Sequence, residues 1–184
     1  RQLHYSVSNE NSIDIVLFLN GIPVVSMELK NQFTGQDTDN AIHQYKFDRA
    51  SKDTIFEFKN RVLVHFAVDL YNVFMTTRLQ GANTYFLPFN QGSNGSGNVG
   101  GKGNPQNPDG YQTAYLWENV LAKDSLLEIL HKYMHLQVEV KEDKNGNKTR
   151  KETMIFPRYH QLDVVTRLLS DVKANGAGHN YLIQ

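Results

Sequence analysis

The sequence has no cysteine, so neither a disulfide nor a thiolate metal site is open to it. It has no excess of charge either, since 19 Lys and Arg balance 19 Asp and Glu. That balance excludes a strongly basic, autonomous nucleic-acid binder, and any contact with DNA must be local or shared with other parts of a larger assembly. No apolar run is long enough to span a bilayer, and no secretory signal pattern is present. A cytoplasmic protein with no membrane partner is the expectation. The chain opens on Arg1 rather than Met and stops at "NYLIQ", an apolar run without a terminating loop. Both ends are therefore expected to be cuts in a longer polypeptide.

What is there suits a folded domain. A chain of 184 residues, 40% hydrophobic and 21% charged, implies one domain, or one and a fragment, with a real core. Alternation at Leu3, Tyr5 and Val7 predicts a first strand, and Asp14 to Leu19 and Ile22 to Lys30 predict two more, joined by the hairpin signal Asn20-Gly21. "TGQDTDN" supplies turn residues and a cap at Thr38 or Asp39, ahead of a helix from about Asn40 to Ala50 with Ala41, Ile42, Tyr45 and Arg49 at helical spacing. "RVLVHFAVDLYNVFMTT" predicts two further strands. Strands, a helix and more strands indicate an α/β or α+β sheet with helical cover.

Residues 90–110, "NQGSNGSGNVGGKGNPQNPDG", predict a flexible surface loop. Gly101-Lys102 suggests a phosphate loop, but the positions that must hold Gly and Ser or Thr hold Ser96 and Gly103. "KDSLLEILHKYMHL" predicts a helix starting near Asp124 or Ser125, with Leu126, Leu127, Leu130 and Met134 on one face. A polar hairpin about Asn145-Gly146 and a helix ending near Gly176 complete the chain. His131 and His135 have the spacing of a helical metal pair, but Lys132, Tyr133 and Met134 between them exclude the metalloprotease pattern. Tyr111, Tyr115 and Trp117 could stack on bases or anchor the long loop on the core.

The candidate chemistry lies in "IDIVLFLNGIPVVSMELKN", residues 13–31. Glu28 and Lys30 share a strand face, with Val24 and Ser26. The hairpin decides whether Asp14 joins them. A plain two-residue turn pairs Leu19 with Ile22 and puts Asp14 opposite Met27, on the wrong face; an odd-length loop or a bulge brings the carboxylates together. Two carboxylates at adjoining strand ends make a hard-oxygen site suited to Mg²⁺. A bound Mg²⁺ lowers the pKa of a water and stabilises charge on phosphate, and a neighbouring Lys assists both. The expected reaction is phosphodiester hydrolysis. Spacing alone also fits a solvated strand face, although Asp14 ends a strand that is apolar on both sides.

Asp14 followed by Glu28-Leu29-Lys30 resembles the PD-(D/E)xK nuclease motif, with Ile13 where Pro usually stands. The longer string "SIDIVLFLNGIPVVSMELKNQFTGQ...AIHQYKFDR" resembles the nuclease domain of the restriction (R) subunit of type I restriction-modification enzymes, and "FLPFNQG", "GNPQNPDGYQTAYLWENVL" and "FPRYHQLDVV" are similar to its later blocks. The resemblance implies an α/β, PD-(D/E)xK restriction-endonuclease-like mixed sheet flanked by helices, with a helical and hairpin extension. It makes Asp14 and Glu28 ligands of Mg²⁺ and Lys30 the catalytic lysine. Of the Gln-x-x-x-Tyr pattern on the following helix, Gln44 fills the first position as an orienting residue, while the fifth is Asp48 and the tyrosine stands at Tyr45. Tyr45 also fits a buried helical stripe.

The same resemblance implies a nuclease domain over residues 1–150, lacking its start. It implies the beginning of a superfamily 2 helicase-like motor domain over residues 151–184, cut before its phosphate loop. Gln161 then corresponds to an adenine contact, with ATP a cofactor of the full-length subunit. Double-stranded DNA and the methyltransferase and specificity subunits of the restriction complex are the implied partners. A different class of function stays open on the residues: a nuclease-fold docking module, catalytically silent, that links the motor to the methyltransferase core. Another nuclease of the same fold, such as a repair exonuclease, is disfavoured by the long C-terminal blocks.

Overall fold

The computed structural model describes residues 2–7, 9–144 and 146–183. A short antiparallel pair, β1 (Leu3–His4) with β2 (Ser12–Ile13), leads into a five-stranded sheet. Its strands are β3 (Ile15–Leu19), β4 (Ile22–Leu29), β5 (Val64–Val68), β6 (Val73–Thr76) and β7 (Leu87–Pro88), neighbours in that order. β4 and β5 run parallel and the other neighbours antiparallel. A parallel pair requires a crossover. Here it contains α1 (Thr38–His43) and a π-helical continuation over Gln44–Asp48.

Apolar layers cover both faces. Over one, Ala41, Tyr45, Ile55, Phe56, Leu79 and Phe86 pack with Ile13 and Ala67. Over the other, Leu116, Val120, Leu126, Ile129 and Phe156 pack with Val25, Met27, Phe66, Val68 and Met75. β5 is buried along its whole length, as a strand covered on both sides must be. The result is a mixed α/β fold, a mixed sheet flanked by helices, of nuclease-like architecture as the sequence implies. Beyond the sheet lie α2 (Lys123–Glu128), with a π-helical continuation to Tyr133, and the hairpin of β8 (His135–Glu142) and β9 (Lys148–Ile155). The last helix is α3 (Tyr159–Asn175), with Gly176 at its end. Of the turn expected at Asn145-Gly146, Asn145 lies outside the described residues.

Several local expectations shift. The first strand is reduced to β1, and Tyr5 leaves the ladder to pack edge-on against Phe56. The crossover helix starts earlier, because Asp37 rather than Thr38 or Asp39 caps it, accepting from the N–H groups of Asp39 and Asn40. On α2 Leu127 faces solvent and Ile129 takes the buried place, so the apolar stripe passes through Leu126, Ile129 and Leu130. His131 lies on the helical continuation of α2 and His135 opens β8, so the pair does not share one helix.

The loop over residues 90–110 is tied down by asparagines. Asn104 donates to Tyr71 O and Asn90 Oδ1 and accepts from Gln91 N–H; Asn90 accepts from Val73 N–H and donates to Asn72. These bonds fasten a segment with no apolar periodicity to the turn between β5 and β6. Tyr115 is buried and donates its hydroxyl to Phe89 O, which makes it the anchor. Tyr111 and Trp117 stay exposed and meet edge to face.

Candidate active site

The site begins with the turn of the β3–β4 hairpin. Asn20 and Gly21 both have positive φ, +49° and +82°, the geometry of a two-residue type I′ turn, and Leu19 pairs with Ile22. A straight ladder from that turn would put Asp14 on the face away from Glu28. The ladder is not straight: Phe18 pairs with Pro23 but Leu17 with Val25, so Val24 is an extra residue, a β-bulge. Pro23 supplies the reason, since it has no N–H to give the ladder. From the bulge onward Val16 pairs with Ser26 and Ile15 with Met27, a register that brings Asp14 across from Glu28. Val24 joins Val25 on the opposite face, in the core, and not the face of Ser26 and Glu28 where strict alternation put it.

Asp14 is half-buried, and its Oδ2 accepts from the N–H of Leu29 at 2.8 Å. Glu28 is fully buried. Its Oε1 accepts from Arg49 Nε at 2.9 Å and lies 2.8 Å from Nη2, while its Oε2 is buried with no partner among the described residues. Burial pushes the Glu28 carboxyl up to about 7; the charge and hydrogen bond of Arg49 oppose this, the Asp14 carboxylate adds to it and Lys30 counters it. Lys30 follows β4, half-buried, its N–H donated to Val68 O at 2.8 Å. Among the described residues it makes no ion pair. Asp14, Glu28 and Lys30 thus lie at one end of the sheet, and Arg49 holds Glu28 from the crossover.

Behind this end the sheet face under α1 carries a buried polar chain. Ser26 Oγ lies 2.9 Å from Tyr45 OH and 2.8 Å from His65 Nδ1. Burial drives the His65 imidazole down to about 3, so it stays neutral, and burial next to the Glu28 charge drives the Tyr45 phenol well above its ordinary value. Tyr45 is fully buried, a member of the helix's core stripe. Gln44 is half-buried, with Oε1 buried and unpaired, and no hydrogen bond joins it to Asp14, Glu28 or Lys30 among the described residues. Gln161 lies far along the chain at the start of α3, where its Oε1 accepts from Arg158 N–H at 3.1 Å.

Arg49 is the residue whose part in the site the sequence did not reveal. Spacing puts it on the helical stripe, and its signal is that it is the only cation there. Ser26 and His65 carry a similar signal, as polar residues inside the apolar strings "VVSMEL" and "VLVHFAV". A buried polar group needs a partner.

A divalent cation fits the residues present. The orphaned Oε2 of Glu28 and the second oxygen of Asp14 are hard donors, and a buried carboxyl pushed upward is the environment that a second cation would relieve. Among the described residues no cluster of three or more His, Cys, Asp or Glu could hold a metal, so the donor set is this pair.

A five-stranded mixed sheet flanked by helices is consistent with a nuclease-like α/β fold. The family model for the type I restriction enzyme R protein N terminus matches residues 1–84. The match contains β1 to β6, α1 and every residue of the site. Comparison with curated proteins gave no match, nor did comparison with solved structures. Among the described residues no helix is long and apolar enough to cross a membrane.

Proposed function

We propose that this chain is the Mg²⁺-dependent endonuclease part of a type I restriction enzyme R subunit and hydrolyses phosphodiester bonds of double-stranded DNA. The observation that carries the reading is the bulge at Val24, which brings Asp14 across from Glu28 at the strand end that Lys30 follows. A solvated strand face has no need of a bulge, a buried glutamate and a guanidinium to hold it.

Asp14 and Glu28 would hold the cation, Asp14 through the oxygen not given to Leu29 N–H and Glu28 through Oε2. When bound, Mg²⁺ supplies positive charge beside the phosphate and a more acidic water. Lys30 places an ammonium beside the same phosphate, where it neutralises charge that grows as the water oxygen bonds to phosphorus. The P–O bond to the leaving strand breaks, and the water's proton is passed to solvent or to the leaving oxygen. Gln44 contributes a half-buried amide for orienting the scissile group.

The larger setting is part of the same proposal. Residues 1–150 form the nuclease domain in this reading and residues 151–184 open an ATP-driven motor domain, with the methyltransferase and specificity subunits as partners and the cytoplasm as compartment. Gln161 is the adenine contact of that motor; its amide oxygen must leave Arg158 N–H or share it to serve there.

The test is the reconstituted restriction complex carrying Asp14→Asn or Glu28→Gln, assayed for plasmid cleavage and ATP hydrolysis together. Cleavage should fall about 100-fold or more while ATP hydrolysis persists. Undiminished cleavage would make this domain a docking module.

A further inference from the structure

Arg49 leaves the π-helical end of the crossover and returns to the sheet with an extended backbone. Its side chain is almost wholly buried. An arginine that simply neutralises a carboxylate sets its fork against both oxygens. Here Nε and Nη2 converge on Oε1 alone, at 2.9 and 2.8 Å, and Nη2 also donates to the carbonyl of Ser12 at 2.6 Å. Oε2 is left buried and unpaired, an arrangement with a desolvation cost of its own.

The Ser12 contact gives this asymmetry a use. Ser12 lies in β2, two residues before Asp14, so one guanidinium ties the chain entering Asp14 to the carboxylate of Glu28. From the other side Asp14 Oδ2 accepts from Leu29 N–H, next to Glu28. The two carboxylates are held in one closed frame, from Ser12 through Arg49 and Glu28 to Leu29 and back to Asp14. π-Helical insertions recur where a helix must re-aim a functional side chain, and this one delivers Arg49.

We propose that Arg49 is a positioning residue for a divalent cation: by engaging a single oxygen of Glu28 and the carbonyl of Ser12, it fixes the spacing of the two carboxylates and leaves Oε2 as a ligand. The inference rests on the metal-dependent reading above. Arg49 touches neither cation nor phosphate and acts through Glu28. Groups that orient a metal ligand in this way typically change affinity by about 10–100-fold when removed.

The experiment uses the 184-residue chain, with Mn²⁺ as probe and free Mn²⁺ followed by electron paramagnetic resonance, so the readout does not depend on cleavage. Circular dichroism melts in metal-free buffer report folding. Asp14→Asn should abolish the site in the otherwise natural chain. Arg49→Lys keeps the charge but replaces the fork with one ammonium, and should weaken Mn²⁺ binding about 10-fold or more in a folded protein; Arg49→Met should weaken it further. A folded Arg49→Lys chain that melts earlier yet binds Mn²⁺ with unchanged affinity would reduce Arg49 to a structural ion pair and overturn the proposal, leaving the metal site intact. A natural chain with no Mn²⁺ binding sensitive to Asp14→Asn would remove the metal site, and this role for Arg49 with it.

Discussion

Replacing Ser26 with Ala takes one hydroxyl from the sheet face under α1 and leaves two buried partners, Tyr45 OH and His65 Nδ1, without it. At about 1–3 kcal/mol for each polar group left unpaired, the loss should be about 2–6 kcal/mol, read from denaturant unfolding. Tyr45→Phe removes a single hydroxyl and keeps the Ser26–His65 bond, so its loss should be nearer 1 kcal/mol. Because the phenol is fully buried, cleavage by Tyr45→Phe should stay close to that of the natural protein. A large drop in cleavage with little change in stability would show that Tyr45 reaches the reacting phosphate.

Glu28 gives a prediction in pH. Its carboxyl is raised from 4.5 to about 7 in the folded chain, so between those values the folded state binds the extra proton and this group's contribution to stability declines as pH rises. His65, held down at about 3, acts the other way below its ordinary value of 6.5. Comparison with a variant separates the two. In metal-free buffer, Glu28→Gln should gain stability relative to the natural chain as pH rises from about 5 to 7. Parallel stability curves would show that burial does not raise the carboxyl.

The β3–β4 hairpin shows what could be read from the sequence and what could not. Asn20-Gly21 announces the turn, and the apolar runs announce the strands. The face on which Asp14 falls depends on one extra residue, and a two-residue period carries no mark of where a ladder slips. The signal was Pro23, a residue that a regular paired position rejects. The crossover helix was legible in its stripe, yet its π-helical end was not, because Arg49 at helical spacing looks the same whether it lies on the helix or returns to the sheet. Deleting Val16 tests the register. Asp14 then pairs with Met27, on the face away from Glu28, so cleavage should vanish while the hairpin and sheet persist by circular dichroism. Retained cleavage would separate the register from the chemistry.

The sheet is completed by residues that the family match does not contain. Val25, Met27, Phe66, Val68 and Met75 are covered by Phe89, Leu116, Leu126, Ile129 and Phe156, all beyond residue 84. Burial of each large apolar side chain is worth about 1.5–3 kcal/mol, so a chain cut after Thr84 loses more than a small domain's net stability. Such a fragment should be unfolded or insoluble, as judged by circular dichroism and amide dispersion in NMR; a cooperative fold would show that the second layer is dispensable. The layered sheet was legible from the order of elements. The fastening of the long loop was not, because asparagines bonding backbone across the fold leave no periodic trace. Phe156, buried in the same core, also follows β9, which runs through residue 150.

The proposed chemistry lies at one end of one hairpin, and Lys30 tests it with the least disturbance, since its side chain makes no ion pair among the described residues. The measurement is plasmid cleavage by the reconstituted restriction complex carrying Lys30→Ala, with Mg²⁺ titrated and ATP hydrolysis recorded in the same reaction. Cleavage should fall about 100-fold or more at every Mg²⁺ concentration, with ATP hydrolysis unchanged. Cleavage at the natural rate would contradict this and leave the charges of this hairpin without a part in the reaction.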